Sequence, residues 1–179
     1  YESVSEYFGG FTPLEDYEEI LYELTQILNK ANFSQFSGYF GIDIIRNDES
    51  KITFIEINPR LTTSYIGLRN VIEENPARLI LQSKLNHQFT TEIRPQYHSL
   101  FTRMELEHSE ARENSELKEE VIFQSLREIP EFVTPPISLN DTNHYSCFIS
   151  TKTKDLIASK KRVQEIVQIL SRLGFTVIK

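Results

Sequence analysis

Three oxygen-bearing side chains interrupt two apolar runs. The runs are "GYFGIDIIR", residues 38–46, and "KITFIEINPR", residues 51–60; the side chains are Asp43, Glu56 and Asn58, with Arg60 two positions further on. Ile- and Phe-rich runs joined by the short turn "NDES" read as a β-hairpin. Side chains alternate faces along a strand, so Glu56 and Asn58 point the same way and Thr53, Ile55 and Ile57 point the other, toward a core. A turn closing symmetrically about Asp48 and Glu49 sets residue 47 opposite residue 50. Asp43 then lies opposite Phe54, one diagonal step from Glu56 and about 7–8 Å away. Carboxylates gathered in this way repel unless positive charge lies between them. A hard divalent cation suits an all-oxygen set, and Mg²⁺ typically takes one or two carboxylates plus phosphate oxygens. The plainer arrangement, commoner for an arbitrary hairpin, pairs one carboxylate with Arg60 or Arg46 and leaves the other in solvent. Periodicity alone does not choose between the two.

The elements that must position these residues can be read around the hairpin. Residues 1–8 suggest a strand entering a turn at Gly9-Gly10, the turn being the plainer reading of that pair beside a phosphate cradle. Tyr17, Ile20, Leu21, Leu24 and Leu28 recur at helical spacing and predict an amphipathic helix over residues 16–31. After the hairpin, "PRLTTS" is a loop, with one of Thr62, Thr63 and Ser64 as N-cap of a helix over 65–74. A further helix is expected over 76–85, with Pro76 in its first turn. Beyond it, residues 89–108 alternate as one or two strands, "EEVIFQSLREI" fits strand or helix, and "VTPPISLNDTN" reads as a turn-rich connection. "ELEHSEARENSELKEE" reads as a solvated mixed-charge stretch. "HYSCFISTK" is a strand, 155–173 a helix capped by Gly174, and "FTVIK" a closing strand. The fold class is α+β, with an antiparallel sheet and flanking helices.

Composition narrows the function. The chain has 179 residues and a net charge of −7, which opposes non-specific nucleic-acid binding, a property of clustered Lys and Arg. No apolar run approaches the roughly 18 residues of a membrane helix, and none reads as a signal peptide. The single Cys147 excludes an internal disulfide, fits a reducing, cytoplasmic setting and, amid apolar neighbours, reads as a buried thiol. His98, His108 and His144 share no spacing and read as surface or internally satisfied residues. The chain begins at Tyr1 in a strand-like stretch, as expected for a piece of a longer protein.

"GIDIIRNDESKITFIEINPRLTTSYIGL" closely resembles the C-terminal metal-binding hairpin of the ATP-grasp superfamily. Its "EINPR" resembles the Glu-x-Asn-x-Arg of the biotin-carboxylase branch. "INPRLTTSYIGLR" and "YFGGFTPL" resemble tyramine–glutamate ligase-like carboxylate–amine ligases. The resemblance covers residues 1–85. It implies ATP and Mg²⁺, or Mn²⁺, as cofactors, with Asp43, Glu56 and Asn58 holding the metal on the ATP phosphates. It implies Arg60 as the residue that steadies an acyl phosphate, a task suited to its fork of donors, and Thr62, Thr63 and Ser64 as lining of an acceptor-substrate pocket. Gly41 departs from members that carry Arg two positions before the first acid. The implied organisation is the C-terminal half of an ATP-grasp fold. Residues 1–85 would form the subdomain carrying the hairpin, and 86–179 an α/β extension packed on it. The N-terminal half, with its Lys-bearing strands, glycine-rich loop and adenine hinge, would precede Tyr1, so this piece alone would be inactive. The implied partners are small-molecule carboxylate and amine substrates, with neither nucleic acid nor membrane; a homodimer is compatible. The other reading of the segment is a non-catalytic nucleotide- or metal-binding or interaction module that needs an N-terminal partner.

Overall fold

A computed structural model describes residues 7–31, 33, 37–49, 51–86, 93–108, 116–139 and 143–179. Residues 1–6, the start of the expected first strand, and 109–115, the middle of the mixed-charge stretch, lie outside the described residues; the start of that stretch is not solvated but the end of a strand, with Leu106 and His108 buried.

The scaffold is an antiparallel sheet of five strands. Its centre is β4 (Ser99–His108), paired along one edge with β6 (His144–Ser150), which pairs in turn with β5 (Phe132–Ser138). The other edge of β4 takes β1 (Gly9–Thr12) and then β7 (Phe175–Val177). One face of β4 and β6 is apolar, with Met104 opposite Cys147 and Leu106 opposite Tyr145. On it pack Leu126 from α4 (Glu116–Arg127) and Ile166 and Leu170 from α5 (Leu156–Arg172), all fully buried. The Asp155 side chain caps α5 by accepting from the Ala158 amide at 2.7 Å, and Gly174 follows its end at φ +86°. Burial pushes the Cys147 thiol up to about 12, and His108 is buried edge-on against Phe175.

The other face carries Phe101, on which α2 (Ser64–Val71) packs. Gly67 allows this approach: a Cβ there would lie 2.6 Å from the Phe101 ring. Asn70 of α2 donates to Ser150 Oγ at 2.8 Å and to the Thr151 carbonyl at 3.1 Å. Helix, sheet and helix thus form three layers, with α2 as the link to the separate hairpin of β2 (Gly41–Arg46) and β3 (Ile52–Asn58). Two more helices flank that hairpin region, α1 (Tyr17–Lys30) and α3 (Pro76–Asn86). Among the described residues no helix is long and apolar enough to cross a membrane.

Three expectations change. Gly9-Gly10 is not a turn but the start of β1. Gly9 sits at φ +141°, and a Cβ there would fall 2.0 Å from the Phe101 carbonyl oxygen, so the pair lets β1 approach β4. "VTPP" is not a connection but part of β5. The prolines are tolerated because β5 is an edge strand whose register breaks between Thr134 and Ile137. The ambiguous "EEVIFQSLREI" is helix.

Candidate functional site

Regular pairing would have ruined the site. The turn is one residue longer than the symmetric closure assumed: the Asn47 amide donates to the Lys51 carbonyl at 3.2 Å, and Ile44, Ile45 and Arg46 oppose Phe54, Thr53 and Ile52. Continued unbroken, that register would set Asp43 opposite Ile55, on the face away from Glu56. A β-bulge intervenes between Asp43 and Ile44, and Asp43 opposes Glu56 directly. Ile55 is the extra residue and is 56% exposed, so it does not join Ile57 in an interior face. A bulge inserts one residue and re-aims the side chains beyond it. Here it moves Glu56 and Asn58 onto the face of Asp43.

The three side chains meet there. Asn58, only 9% exposed, donates through its one amide nitrogen to Asp43 Oδ2 at 3.0 Å and to Glu56 Oε1 at 2.9 Å. A partial positive charge thus lies between two exposed carboxylates, which is the electrostatic need that a cation there would also meet. The donor set fits a hard cation: two carboxylates and, with its amide turned, the oxygen of Asn58. No three His, Cys, Asp or Glu side chains cluster among the described residues, so further oxygens would come from water or phosphate.

The pairing of a carboxylate with Arg46 or Arg60 is not what the structure shows. Arg46 sits on the other face of β2, with its guanidinium on Asp16 and, at 2.9 Å, on Glu19, tying the hairpin to α1. Arg60 donates to the neighbouring Leu61 carbonyl at 3.3 Å, leaving most of its fork without a described partner. Thr63 takes the N-cap position of α2 but makes no side-chain cap. Thr62 and Ser64 bond each other at 2.7 Å, and Thr62 lies 3.2 Å from the Tyr39 hydroxyl. Thr62 also explains Gly41, where a Cβ would come 2.7 Å from the Thr62 methyl; a larger residue at 41 needs a different loop. One neighbour escapes sequence reasoning. The Tyr7 phenol is held above its ordinary value, first by burial and then by the Asp43 charge, which places it near the carboxylates. Nothing in the residues around Tyr7 signals this.

A hairpin that gathers two carboxylates and an amide, followed by an arginine loop, is the part of the chain that matches a known class: residues 2–64 are similar to the ATP-grasp domain family. Among particular proteins, 57 residues are 42% identical to the tyramine–L-glutamate ligase of Methanocaldococcus fervens, over 32% of this chain and 18% of that enzyme. The chain therefore spans under a fifth of that relative. The fold resembles the L-amino acid ligase of Bacillus licheniformis (TM-score 0.57, 13% identity, 98% of this chain and 46% of that one). It also resembles the N5-carboxyaminoimidazole synthetase of Staphylococcus aureus, solved with ADP (TM-score 0.54, 11% identity, 90% and 40%). At such identities the likeness is one of fold.

Proposed function

We propose that this chain is the C-terminal part of an ATP-dependent ligase that joins a carboxylate to an amine, with amino acids as the substrate class. The observation that carries the reading is the Asn58 amide spanning Asp43 and Glu56, two residues before an under-used Arg60. The tyramine–L-glutamate ligase relative supports it, and a neighbour of like fold was solved with ADP.

Asp43, Glu56 and Asn58 would hold Mg²⁺, which when bound offsets negative charge on phosphate oxygens. Arg60 grips the substrate carboxylate and then the acyl phosphate through paired N–H donors. The substrate carboxylate oxygen attacks the γ-phosphorus of ATP, and the bond to the β-phosphate oxygen breaks, releasing ADP. The amine nitrogen then attacks the acyl carbon. Phosphate leaves with the C–O bonding pair, the nitrogen loses a proton to solvent, and an amide remains. Thr62 and Ser64 present hydroxyls beside Arg60 for the incoming substrate.

The test is ADP release by the full-length protein with pairs of amino acids and amines, comparing wild type with Glu56→Gln at saturating Mg²⁺. An electrostatic group aimed at developing charge is worth on the order of 100-fold in kcat, whereas an exposed carboxylate alters stability by no more than about 0.5 kcal/mol. Equal kcat values with matching melts would remove Glu56, and the ligase reading with it.

A further inference from the structure

Two cavities adjoin at the loop before β2 and the middle of α3, which line both. Ser37, Gly38, Tyr39 and Ile80 border a 430 Å³ cavity that also contains Arg60 and Lys84, and a 510 Å³ cavity walled by Leu21, Leu68, Ile72, Leu79 and Pro95. The first holds two cations and no carboxylate among its lining residues. The second is apolar, and its few hydroxyls have protein partners: Ser37 donates to the Ser83 carbonyl, Ser83 to the Ile80 carbonyl, Tyr17 to Glu18, and Tyr39 lies within bonding distance of Thr62. At the junction Gly38 stands at φ +107°, where a Cβ would already touch Lys84 Cε at 3.4 Å. The volume is within the roughly 300–1,000 Å³ of small-molecule sites.

We propose that the two cavities form one site for a carboxylate with an apolar body. The head lies against Arg60 and Lys84, and the tail lies in the groove between α1, α2 and α3. A carboxylate is held by such cationic donors, and a largely apolar wall whose hydroxyls already bond to protein groups disfavours a polar tail. The inference rests on the ligase reading only for the fate of the carboxylate, which it assigns to an acid substrate with an aliphatic or aromatic side chain. Binding itself requires neither ATP nor turnover.

The experiment is calorimetric titration of the 179-residue chain, without nucleotide, with straight-chain acids from acetate to octanoate and with n-alkylamines of equal length. Acid affinity is expected to climb about fourfold per methylene and level off when the groove is filled, with amines at least about tenfold weaker. Ile80→Trp, which blocks the groove, is expected to abolish the climb. Leu21→Trp, at an exposed position of α1, gives the same test should the first variant fold poorly. Lys84→Gln is expected to weaken every acid by a similar factor. A flat series, an unchanged climb in both folded Trp variants, or amines binding as tightly as acids would overturn the proposal. Tail-dependent binding of acids, with no ADP released by the full-length protein on any amino-acid and amine pair, would instead sink the ligase reading and leave the site standing.

Discussion

The two halves of the chain bury their apolar residues very differently. Between residues 93 and 179, Leu106, Leu126, Ile149, Ile166 and Leu170 have no exposed surface at all. Between residues 7 and 86, Val71 and Ile72 are buried at the end of α2, whereas α1 buries none of its residues, and Leu21, Ile45, Ile55 and Leu85 stand open to solvent. The candidate chemistry lies in the open half. It is fixed there by local devices rather than by a core: a bulge that aims Glu56, an amide that spans two carboxylates, and an Arg46 clamp on α1. These devices reach the packed half mainly through α2, by way of Gly67 and Asn70, and through the β1 edge. The difference teaches that the groups that hold the fold and the groups that would do the chemistry can be altered nearly independently, except at that link.

The largest effect belongs to the packed half. Leu106→Ala removes a fully buried side chain of β4 from between the sheet and the helices and should cost about 2–5 kcal/mol, read from urea unfolding. Ile55→Ala, the bulged residue of the open hairpin, should cost no more than about 0.5 kcal/mol. Equal costs would erase the contrast between the halves.

The link comes next. Gly67→Val places methyl groups where the Phe101 ring already stands and should cost about 1–3 kcal/mol through overpacking. In a Phe101→Leu background the same change should cost less, because the two positions touch and their effects do not add. Strict additivity in the double-mutant cycle would show that α2 is not held where the structure has it.

Within the open half, Asn58→Ala deletes the amide between Asp43 and Glu56. The two carboxylates then face one another with no donor, and about 1–2 kcal/mol of stability should go. Adding Glu56→Gln to Asn58→Ala removes one of the opposed charges and should return part of it. No recovery in thermal melts would mean that the Asn58 bridge does not serve to separate charge.

Much of this was legible in the sequence, and the failures share a cause. Glu56 and Asn58 share a face by alternation, and α5 is bounded by Asp155 and Gly174 as its caps require. Asp43 reached the right patch, but for a reason the residues do not print. Pairing rules assume an unbroken ladder, and a three-residue turn with a bulge at Ile55 replaces it. The periodicity of α1 is real, yet a repeat reports which residues could be buried, not whether anything in the described chain buries them. Prolines 135 and 136 looked like a break because nothing local reveals that β5 is an edge. The ATP-grasp resemblance is the source of the role proposed for the hairpin, whereas Tyr7 and the groove beside Arg60 arise from tertiary proximity and had no local signal.

The smallest expected effect tests the packed half from its rim. Glu131, just before β5, accepts from Arg162 of α5 at 2.7 Å and 3.1 Å, and Arg162 also reaches Glu165 at 3.0 Å. Burial acts to raise the Glu131 carboxyl, but the Arg162 bonds, a backbone hydrogen bond and the Arg162 charge outweigh it and hold it below 4.5. Its folded value therefore lies beneath its unfolded one. The folded state keeps the charge at pH values where the unfolded chain has taken a proton, so the contribution is complete above about 4.5 and drains away as pH falls toward the folded value. Glu131→Gln should thus cost about 1 kcal/mol at pH 7, the scale of a partly exposed ion pair, and progressively less below pH 4.5. Urea unfolding of both proteins across that range reads the gap directly. A gap of constant size would mean that Glu131 holds β5 to α5 by shape and neutral hydrogen bonding, and that the packed half does not depend on charge at its rim.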